Sequence, residues 1–477
     1  MAEDILTKIV EQRKADIKKS GFSFGIKIPE KRNRAIVPFM NKKGAILEIK
    51  RASPSKGDIA PDLNAVETAK KYRSAEAKAI SCLTETNYFK GSLQDLIDIC
   101  SNIDDVAVLR KDFLIDEKEI EISYLCGADA VLLIAGILTE EKLYSMTKKC
   151  FEKGIKALVE VRSLEDAKKV LAVKKDFDST IVCGVNSRNL KDFSMDLLFP
   201  CALKNILGTK VIFESGITTP AAARRVSEMG FQGFLMGEVA ARNPENVHEF
   251  IKEFEETSIT EHGKKICTLA EKILLSKNNS PLVKICGITN KEDLLFADKC
   301  GADFVGFVFA DGFERNVCGK RFALLKDSLK SVKAFKVAVV TDLNSLEGKE
   351  AVRLVKEGIL DFLQLHGINF EKVSEEVFCL PHYFTLCSKS NIDEKSLKKL
   401  YSFGETRILQ ESSAHNYVKT SGLWIAGGLN ADNISSFIKE FSPEMVDVSS
   451  GIEDEIKGIK NHSKMKKFFD EIKKSTK

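Results

Sequence analysis

Short apolar runs of β type alternate with amphipathic helical segments along the whole chain, and this alternation limits the possible folds more than any other feature. It is typical of parallel α/β proteins, in which a helix carries the chain back to the start of the next strand. The first half contains eight predicted strands, at residues 44–50, 79–83, 106–110, 129–134, 157–161, 180–185, 211–215 and 233–237.

The same rhythm restarts after the polar stretch 254–265 and a helix-like segment that follows it. The two halves also contain similar sequences, GADAVLLIAG at 127–136 and GADFVGFVFA at 301–310. Eight more predicted strands occupy residues 282–286, 303–309, 335–340, 362–366, 382–387, 406–410, 423–427 and 445–450.

Eight strand–helix units in each half predict two (β/α)8 TIM barrels in tandem. We place the first barrel at residues 1–258, a linker with a helix at 259–280, and the second barrel at 281–477. A doubly wound sheet in one half is the alternative, because a strand count from one sequence can err by one or two.

Charge and composition exclude several classes of function. The 73 Lys and Arg residues and 69 Asp and Glu residues leave a net charge of +4, which favours neither nucleic acid nor a membrane surface but permits small anionic substrates. The 12 cysteines show no CxxC pair and no metal-ligand spacing, so we expect buried thiols in a reducing compartment and no bound metal. The N-terminus has no apolar signal core, and these features together predict a soluble cytoplasmic protein.

Polar side chains follow the apolar runs of the first half at the points where the strands end. Lys50 and Lys111 end two of these runs, and Glu160 lies near the end of another. Glu48 and Lys50 share one face of their strand because side chains alternate with period two. Since TIM barrels carry their chemistry at the carboxyl ends of their strands, we expect these charges to converge in one mouth.

Glycine-containing turns end the last two strands of each half. ESGI (214–217) and MGE (236–238) flank the final helical unit of the first half, and AGGL (426–429) and SSGI (449–452) flank that of the second. The spacing from Ser215 to Gly237 equals the spacing from Gly428 to Ser450. Glycines allow backbone N–H groups to approach an anion, so both halves are predicted to bind phosphate there.

These motifs together resemble two enzyme families of tryptophan biosynthesis. EIKRASPSKG, YFKGS, RKDFLID, LVEV, GVNSRNL and ESGI, in this order, resemble indole-3-glycerol-phosphate synthase. VKICGIT, GFVF with a following arginine, LQLHG, AGGLNADN and VDVSSGIE resemble phosphoribosylanthranilate isomerase. The chain as a whole therefore looks like a fused bifunctional enzyme.

The resemblance to the synthase implies roles for the residues at the mouth of the first barrel. Its substrate, 1-(2-carboxyphenylamino)-1-deoxyribulose 5-phosphate, carries a carboxylate, a ketone and a phosphate, and ring closure releases CO2 and water. Lys111 is then the general acid at the ketone oxygen, Lys50 binds the carboxylate, and Glu160 assists dehydration. The resemblance also implies three residues that hold charge and hydroxyl groups in place: Glu48, Asn186 and Ser215. Positions that contact phosphate or line the pocket are Ser53, Phe89, Arg188, Gly216, Gly237 and, through its backbone, Glu238.

The resemblance to the isomerase assigns the second barrel an Amadori rearrangement of N-(5-phosphoribosyl)anthranilate. A base removes the C2 proton and an acid protonates the ring oxygen. Cys286 matches the family base and Arg315 matches a substrate-binding arginine. The phosphate-binding positions that it implies are Gly427, Gly428, Ser450 and Gly451.

At the position of the isomerase's general acid, this sequence departs from the family pattern. The family keeps an aspartate at the end of the sixth strand, followed by a glycine-rich loop, whereas here Gln410 takes that position and the loop is missing. An amide cannot donate a proton in this way. Glu411 is adjacent, but in regular strand it is expected to face outward. Three interpretations are open: Glu411 swings inward, a residue from elsewhere substitutes, or the barrel is impaired. We favour a working isomerase with a changed acid, for which Glu411 is the candidate.

Two other functions remain as alternatives. One is a different phosphosugar barrel enzyme, such as an isomerase of histidine biosynthesis, which would need aspartates at the ends of the first and fifth strands. The other is a catalytic synthase barrel joined to an impaired isomerase or a phosphate-binding scaffold. For the favoured function, the expected partners are small phosphorylated anthranilate-sugar substrates, with no cofactor, nucleic acid or membrane. We expect a monomer and leave association with other enzymes of the pathway open.

Overall fold

In the described parts of both halves, eight parallel strands close into a barrel. The structure is a computed structural model and describes residues 5–54, 56–188, 195–208, 210–275, 280–389 and 391–475. The chain divides into two compact units, Met1–Ile259 and Thr260–Lys477. The predicted fold class of two tandem (β/α)8 barrels is confirmed, and the alternative of a doubly wound sheet in one half is wrong.

The first barrel follows the strand order of the sequence, with its first and last strands paired. Its strands are β1 (Gly44–Ile49), β2 (Ala79–Leu83), β3 (Ala107–Lys111), β4 (Ala130–Ile134), β5 (Lys156–Val161), β6 (Ile181–Asn186), β7 (Val211–Glu214) and β8 (Gly233–Met236). A short hairpin of residues 52–53 and 57–58 follows β1. The α-helices are Ile5–Ser20, Ala65–Ser74, Leu93–Asn102, Glu117–Leu125, Glu140–Lys153, Leu164–Phe177, Phe199–Leu207, Pro220–Glu228, Glu238–Arg242 and Val247–Glu256.

The second barrel repeats this order. Its strands are β9 (Leu282–Ile285), β10 (Phe304–Phe309), β11 (Phe335–Val340), β12 (Phe362–His366), β13 (His382–Ser388), β14 (Ile408–Ser412), β15 (Trp424–Ala426) and β16 (Met445–Val448). The α-helices are Glu261–Leu275, Lys291–Cys300, Lys320–Leu329, Leu346–Lys356, Glu375–Phe378, Glu394–Ser402, Ile434–Phe441 and His462–Ser475. Short 3₁₀ turns lie at Ala135–Ile137, Pro244–Asn246, Phe370–Lys372 and Ser450–Ile452.

Local sequence sets where several helices begin and end. The side chains of Ser163 and Asn290 accept hydrogen bonds from backbone N–H groups in the first turns of their helices. These caps satisfy donors that would otherwise have no partner within the helix. Gly154 and Gly301 end two helices in the left-handed conformation, which only glycine adopts at little cost. Among the described residues, none of the helices is both long and apolar enough to cross a membrane.

The interior of the first barrel is apolar below its mouth and charged at the mouth. Ile46, Leu109, Leu158 and Ile212 belong to one buried cluster inside the strands. A polar residue follows each of them two positions later, on the same strand face. These polar residues are Glu48, Lys111, Glu160 and Glu214. Because side chains alternate with a period of two, these four charged side chains lie together above the buried apolar cluster.

The interior of the second barrel contains aromatic rings and one buried cation. The Trp424 ring lies 5.2 Å from that of Tyr383 and 5.9 Å from that of Phe304, measured between centroids. Because their strands are not neighbours in the barrel, these contacts cross its interior. Lys284 is 0% exposed and its Nζ lies 2.6 Å from Asp447 Oδ2 and 2.5 Å from Gln364 Oε1. These contacts identify the inward face of each strand.

Candidate active sites

The two lysines at the first mouth converge on a single carboxylate. Lys50 Nζ lies 2.6 Å from Glu48 Oε1, and Lys111 Nζ lies 3.0 Å from Glu48 Oε2. Lys111 belongs to β3 and Glu48 to β1, which are separated by β2, so this ion pair joins two strands that are not neighbours. The side chains of Lys50 and Lys111 are 17% and 15% exposed. Both side chains thus retain a small exposed fraction at the mouth.

Glu48 is ionised because of these two neighbours. Burial by itself raises its pKa, but Lys111 and Lys50 together outweigh burial and lower the pKa to about 2. Burial lowers the pKa of Lys111, whereas Glu48, Glu214 and Glu160 raise it above the ordinary value for lysine. Buried ion pairs of this kind seldom add net stability, because desolvation offsets the attraction. Their cost is typical of sites that position charge for chemistry.

A second group of polar side chains lies across the mouth. Arg162 Nε donates a hydrogen bond to Glu160 Oε1 at 2.5 Å, and the Asn186 side-chain amide donates to Glu160 Oε2 at 3.3 Å. Burial raises the pKa of Glu160, but Arg162 and Lys111 outweigh burial and lower it. Sequence reasoning did not single out Arg162, which follows Glu160 by two residues. Glu160 is therefore held as a carboxylate with both oxygens oriented.

Sequence reasoning also missed Glu214, although it identified the motif ESGI. Glu214 is 1% exposed, and neither of its carboxylate oxygens has a hydrogen-bond partner among the described residues. Its Oε2 lies 3.9 Å from Lys111 Nζ, so it shares the same mouth. Burial and the neighbouring Glu160 raise its pKa to about 8, although Lys111 opposes this shift. The two-residue period from the apolar Ile212 was the signal that could have found it.

The raised pKa of Glu214 predicts how the free energy of unfolding depends on pH. Because its pKa rises from 4.5 to about 8, the folded chain keeps a proton that the unfolded chain releases in this window. The free energy of unfolding is therefore expected to fall as pH rises from about 4.5 to 8, and Glu214→Gln should reduce this slope. Thermal unfolding of the full chain across the window measures the slope.

The matched control for this pH dependence is Glu256→Gln, which changes an exposed glutamate of the same barrel. It should retain the wild-type slope. The pKa of Glu48, about 2, lies below this window, so its titration does not contribute to the slope. A Glu214→Gln variant whose unfolding temperature keeps the full wild-type pH dependence would contradict the assigned proton.

The predicted pocket and phosphate positions of the first half lie around this mouth. The Phe89 ring centroid lies 5.6 Å from Lys50 Nζ. A Cβ on Gly237 would lie 2.5 Å from Glu48 Oε1, so this turn directly contacts the charged cluster. Ser215 and Gly216 both have positive φ, at 71° and 83°, and form a tight turn after β7. The backbone at Gly237 and the two lysines therefore border one concave site.

The remaining predicted residues of the first half lie on the segments that follow β1, β6 and β8. Ser53 belongs to the short hairpin after β1. The Arg188 carbonyl accepts a hydrogen bond from Arg162 at 3.3 Å. The Glu238 carboxylate lies 3.4 Å from the Arg242 guanidinium, on the helix that Gly237 caps. The roles assigned to these residues stay predictions.

Cys286 lies at the mouth of the second barrel, two residues after the buried Lys284. A Cβ on Gly306 would lie 2.9 Å from Cys286 Sγ and 3.2 Å from Lys284 Cε, so glycine leaves the room that both side chains need. Burial raises the pKa of the thiol, as do Asp447 and Glu411, whereas Lys284 lowers it. The net pKa of the thiol is raised, so Lys284 offsets only part of the cost of forming the thiolate that a base requires.

The structure corrects the expected orientation of Gln410 and Glu411. The predicted strand ended at Gln410, but β14 continues to Ser412. Leu409 pairs with Trp424, whose ring lies inside the barrel, so Glu411, two residues later, is also on the inward face. The Glu411 carboxylate lies 3.7 Å from the His366 ring and raises the pKa of Cys286. The expectation that Glu411 faces outward is wrong.

Gln410 faces away from the barrel mouth instead. Its side-chain amide donates a hydrogen bond to the Val418 carbonyl at 2.9 Å and accepts one from the Val418 N–H at 2.8 Å. Both polar atoms of Gln410 therefore bind the loop that follows β14. Gln410 does not occupy the inward position expected of a catalytic aspartate, and its amide does not replace an acid there.

Arg315 is held near Cys286 by an acidic partner. Arg315 Nε and Nη2 lie 3.0 Å and 2.5 Å from the two oxygens of Glu453, and Lys460 Nζ lies 2.6 Å from Glu453 Oε1. A Cβ on Gly287, the residue after Cys286, would lie 2.5 Å from Arg315 Cδ. Two cations therefore border the thiol on the side of the last strand, a suitable position for an anionic substrate.

The glycine turns of the second half pack against each other. Gly427 and Gly428 have positive φ of 101° and 65°. A Cβ on Gly451 would lie 1.9 Å from the Leu429 carbonyl oxygen, so the turn that contains Ser450 and Gly451 touches the turn after β15. Only glycine permits this approach of two backbones. The arrangement resembles the common phosphate site of TIM barrels.

Comparison with protein families matches each half separately. The family described as indole-3-glycerol phosphate synthase matches residues 6–254. The family described as N-(5'-phosphoribosyl)anthranilate isomerase matches residues 283–471. The two matches coincide with the two barrels.

Curated relatives and solved structures are similar to parts of this chain. A multifunctional tryptophan biosynthesis protein of Schizosaccharomyces pombe is 31% identical over 99% of this chain, which spans 66% of that relative's length. An indole-3-glycerol phosphate synthase of Oceanobacillus iheyensis is 36% identical over 50% of this chain and 92% of its own. Phosphoribosyl anthranilate isomerase from Thermotoga maritima aligns with 41% of this chain and 99% of its own, at 28% identity and a TM-score of 0.34.

The chain covers less than two thirds of the length of the multifunctional relatives. It matches the synthase family over more than half of its residues and the isomerase family over most of the remainder. The chain therefore belongs to the indole-3-glycerol phosphate synthase family, and residues 283–471 of its second barrel match the phosphoribosylanthranilate isomerase family.

Proposed function

We propose that this chain catalyses two consecutive steps of tryptophan biosynthesis. The second barrel converts N-(5-phosphoribosyl)anthranilate to 1-(2-carboxyphenylamino)-1-deoxyribulose 5-phosphate, and the first barrel closes this product to indole-3-glycerol phosphate. The observation that carries the proposal is the pair of ammonium groups of Lys50 and Lys111, both within 3.0 Å of Glu48, in the mouth bordered by Gly237.

Ring closure requires cations at both ends of the bond that forms. Lys50 binds the substrate carboxylate and so orients the aromatic ring. Lys111 donates a proton to the ketone oxygen as the aromatic carbon attacks the carbonyl carbon. Loss of CO2 and of water then restores the aromatic system, and Glu160 assists the dehydration. Asn186 and Arg162 support this role because they hold both oxygens of Glu160.

The isomerase step requires a base and an acid on one substrate. Cys286 removes the C2 proton, and Glu411 protonates the ring oxygen as the sugar opens. The inward position of Glu411, and its influence on the pKa of Cys286, support this pairing. They favour a working isomerase over a barrel that only binds phosphate. Arg315 is suitably placed for an anionic group of the substrate.

Separate assays of the two substrates test the proposal. The purified full chain is expected to change anthranilate fluorescence when it receives phosphoribosylanthranilate, and to form indole-3-glycerol phosphate when it receives the rearranged product. Ring closure without any isomerisation would leave only the synthase half of the proposal.

Glu411→Gln is expected to slow isomerisation by roughly 10²-fold or more, because the substituted amide cannot donate the proton. Ring closure should not change, since it belongs to the other barrel. Steady-state fluorescence assays of the two reactions measure both effects. Glu371→Gln is the control because it alters an exposed glutamate of the same barrel, paired with Lys399. Unchanged isomerisation in Glu411→Gln would exclude this residue as the acid.

A further inference from the structure

Three different metal-binding side chains meet at the mouth of the second barrel. His366 ends β12. Cys387 lies near the end of the neighbouring strand β13, and Glu411 lies near the end of β14, the strand after it. One ligand atom from each of the three residues lies within 4.8 Å of the others. Cys387 and Glu411 are paired in register, which places their side chains side by side. Because the three residues come from separate strands, no sequence spacing reveals them.

The donor set selects a class of metal ion. It combines an imidazole nitrogen, a thiol and a carboxylate, whereas Mg²⁺ and Ca²⁺ require oxygen ligands. Zn²⁺ accepts all three donor types, and sites with three protein ligands leave its fourth position open. Bond lengths of about 2.0–2.3 Å to zinc place tetrahedral ligands about 3.5 Å apart. Cys387 Sγ and His366 Nε2 lie 3.4 Å apart, close to this spacing.

The two ring nitrogens of His366 face different neighbours: Nε2 faces Cys387, and Nδ1 faces Glu411. His366 Nδ1 is buried and has no hydrogen-bond partner among the described residues. The Glu411 carboxylate lies 3.7 Å from it, beyond hydrogen-bond distance. The side chain of Glu411 is 40% exposed, so it can turn toward the side of the ring that faces Cys387.

We propose that His366, Cys387 and Glu411 bind a divalent transition-metal ion of the Zn²⁺ class, and that this ion inhibits the second barrel. Binding releases the thiol proton and uses the Glu411 carboxylate as a ligand. A carboxylate bound to a metal cannot protonate the sugar ring oxygen. The inhibition rests on the proposed isomerase function, whereas metal binding does not depend on it.

Metal binding is tested with Co²⁺ as the probe on the purified full chain. A thiolate ligand gives bound Co²⁺ a charge-transfer absorption in the near ultraviolet. We expect this absorption in the wild type and its loss in both Cys387→Ser and His366→Gln. Cys300→Ser, a partly exposed cysteine elsewhere in the same barrel, is the control and should retain it. No absorption in the wild type, or undiminished absorption in Cys387→Ser, would overturn the site.

Inhibition is tested with Zn²⁺ in the two separate assays. Saturating Zn²⁺ is expected to slow isomerisation by about 10²-fold or more, the smallest loss typical of a missing proton donor, and to leave ring closure unchanged. Cys387→Ser should isomerise at the normal rate and resist Zn²⁺. Wild-type isomerisation that persists at saturating Zn²⁺ would refute the inhibition. If the protein without added metal does not isomerise phosphoribosylanthranilate, the proposed isomerase function is refuted. The Co²⁺ titration then tests the metal site by itself.

Discussion

Lys111→Ala is expected to reduce the turnover of ring closure by roughly 10²- to 10⁴-fold, the range typical of a positioned proton donor. The substitution removes the ammonium that lies 3.0 Å from Glu48 and 3.9 Å from Glu214. No described lysine other than Lys50 pairs with Glu48, and Lys50 is assigned to the substrate carboxylate. Turnover of the purified rearranged substrate, followed by indole-3-glycerol phosphate formation, measures the loss.

Two controls separate this chemical effect from misfolding. Lys153→Ala removes another lysine of the same barrel, paired on the surface with Glu121 at 2.7 Å, and should retain full ring closure. Isomerisation by Lys111→Ala itself should also be normal because that reaction belongs to the second barrel. Near-normal ring closure in a folded Lys111→Ala variant would show that the proton comes from another group.

Cys286→Ala is expected to have the converse effect, with isomerisation reduced by roughly 10²- to 10⁴-fold and ring closure intact. Alanine occupies most of the space of cysteine but cannot accept the C2 proton. The loss of anthranilate fluorescence measures this reaction, after correction for spontaneous decay of the substrate. The strongest support for a base would be a loss in turnover with little change in KM.

Cys300→Ala is the matched control for this prediction, since it changes a partly exposed cysteine on a helix of the same barrel. It should isomerise at the wild-type rate. Comparable activity in Cys286→Ala and Cys300→Ala would remove the thiol from the mechanism and favour the reading in which the second barrel binds phosphate without catalysis.

The fold could be predicted because it depends on a pattern repeated many times. Each barrel contains eight strands, and an error in one of them does not change the architecture. The meeting of Lys50 and Lys111 could also be predicted, since both residues follow apolar runs whose carboxyl ends share one rim of a barrel.

The orientation of single residues was harder to predict because side chains alternate along a strand. A shift of one residue exchanges the inward and outward faces, and this is how Gln410 was placed in the mouth and Glu411 outside it. The sequence around β14 contains no signal that distinguishes the two registers. The hydrogen bonds between Gln410 and Val418 settle the matter, and they depend on a loop whose path only the structure reveals.

Glu214 was missed for a different reason. It lies directly before Ser215 and Gly216, which belong to the predicted phosphate motif, and the motif itself assigns no role to the strand residue. Its raised pKa depends on burial and on the proximity of Glu160, which comes from a strand two positions away in the barrel. Such an effect is three-dimensional and cannot be assigned from a linear pattern.

The shared carboxylate of Glu48 couples capture of the substrate to the strength of the acid. On the proposed reaction, an arriving carboxylate takes the Lys50 ammonium as its own counterion. Glu48 then loses one of its two cations, and its remaining attraction is directed at Lys111. The catalytic proton is consequently held more firmly once the molecule that needs it has docked, so an empty mouth and a loaded one differ in acidity without any movement of the backbone.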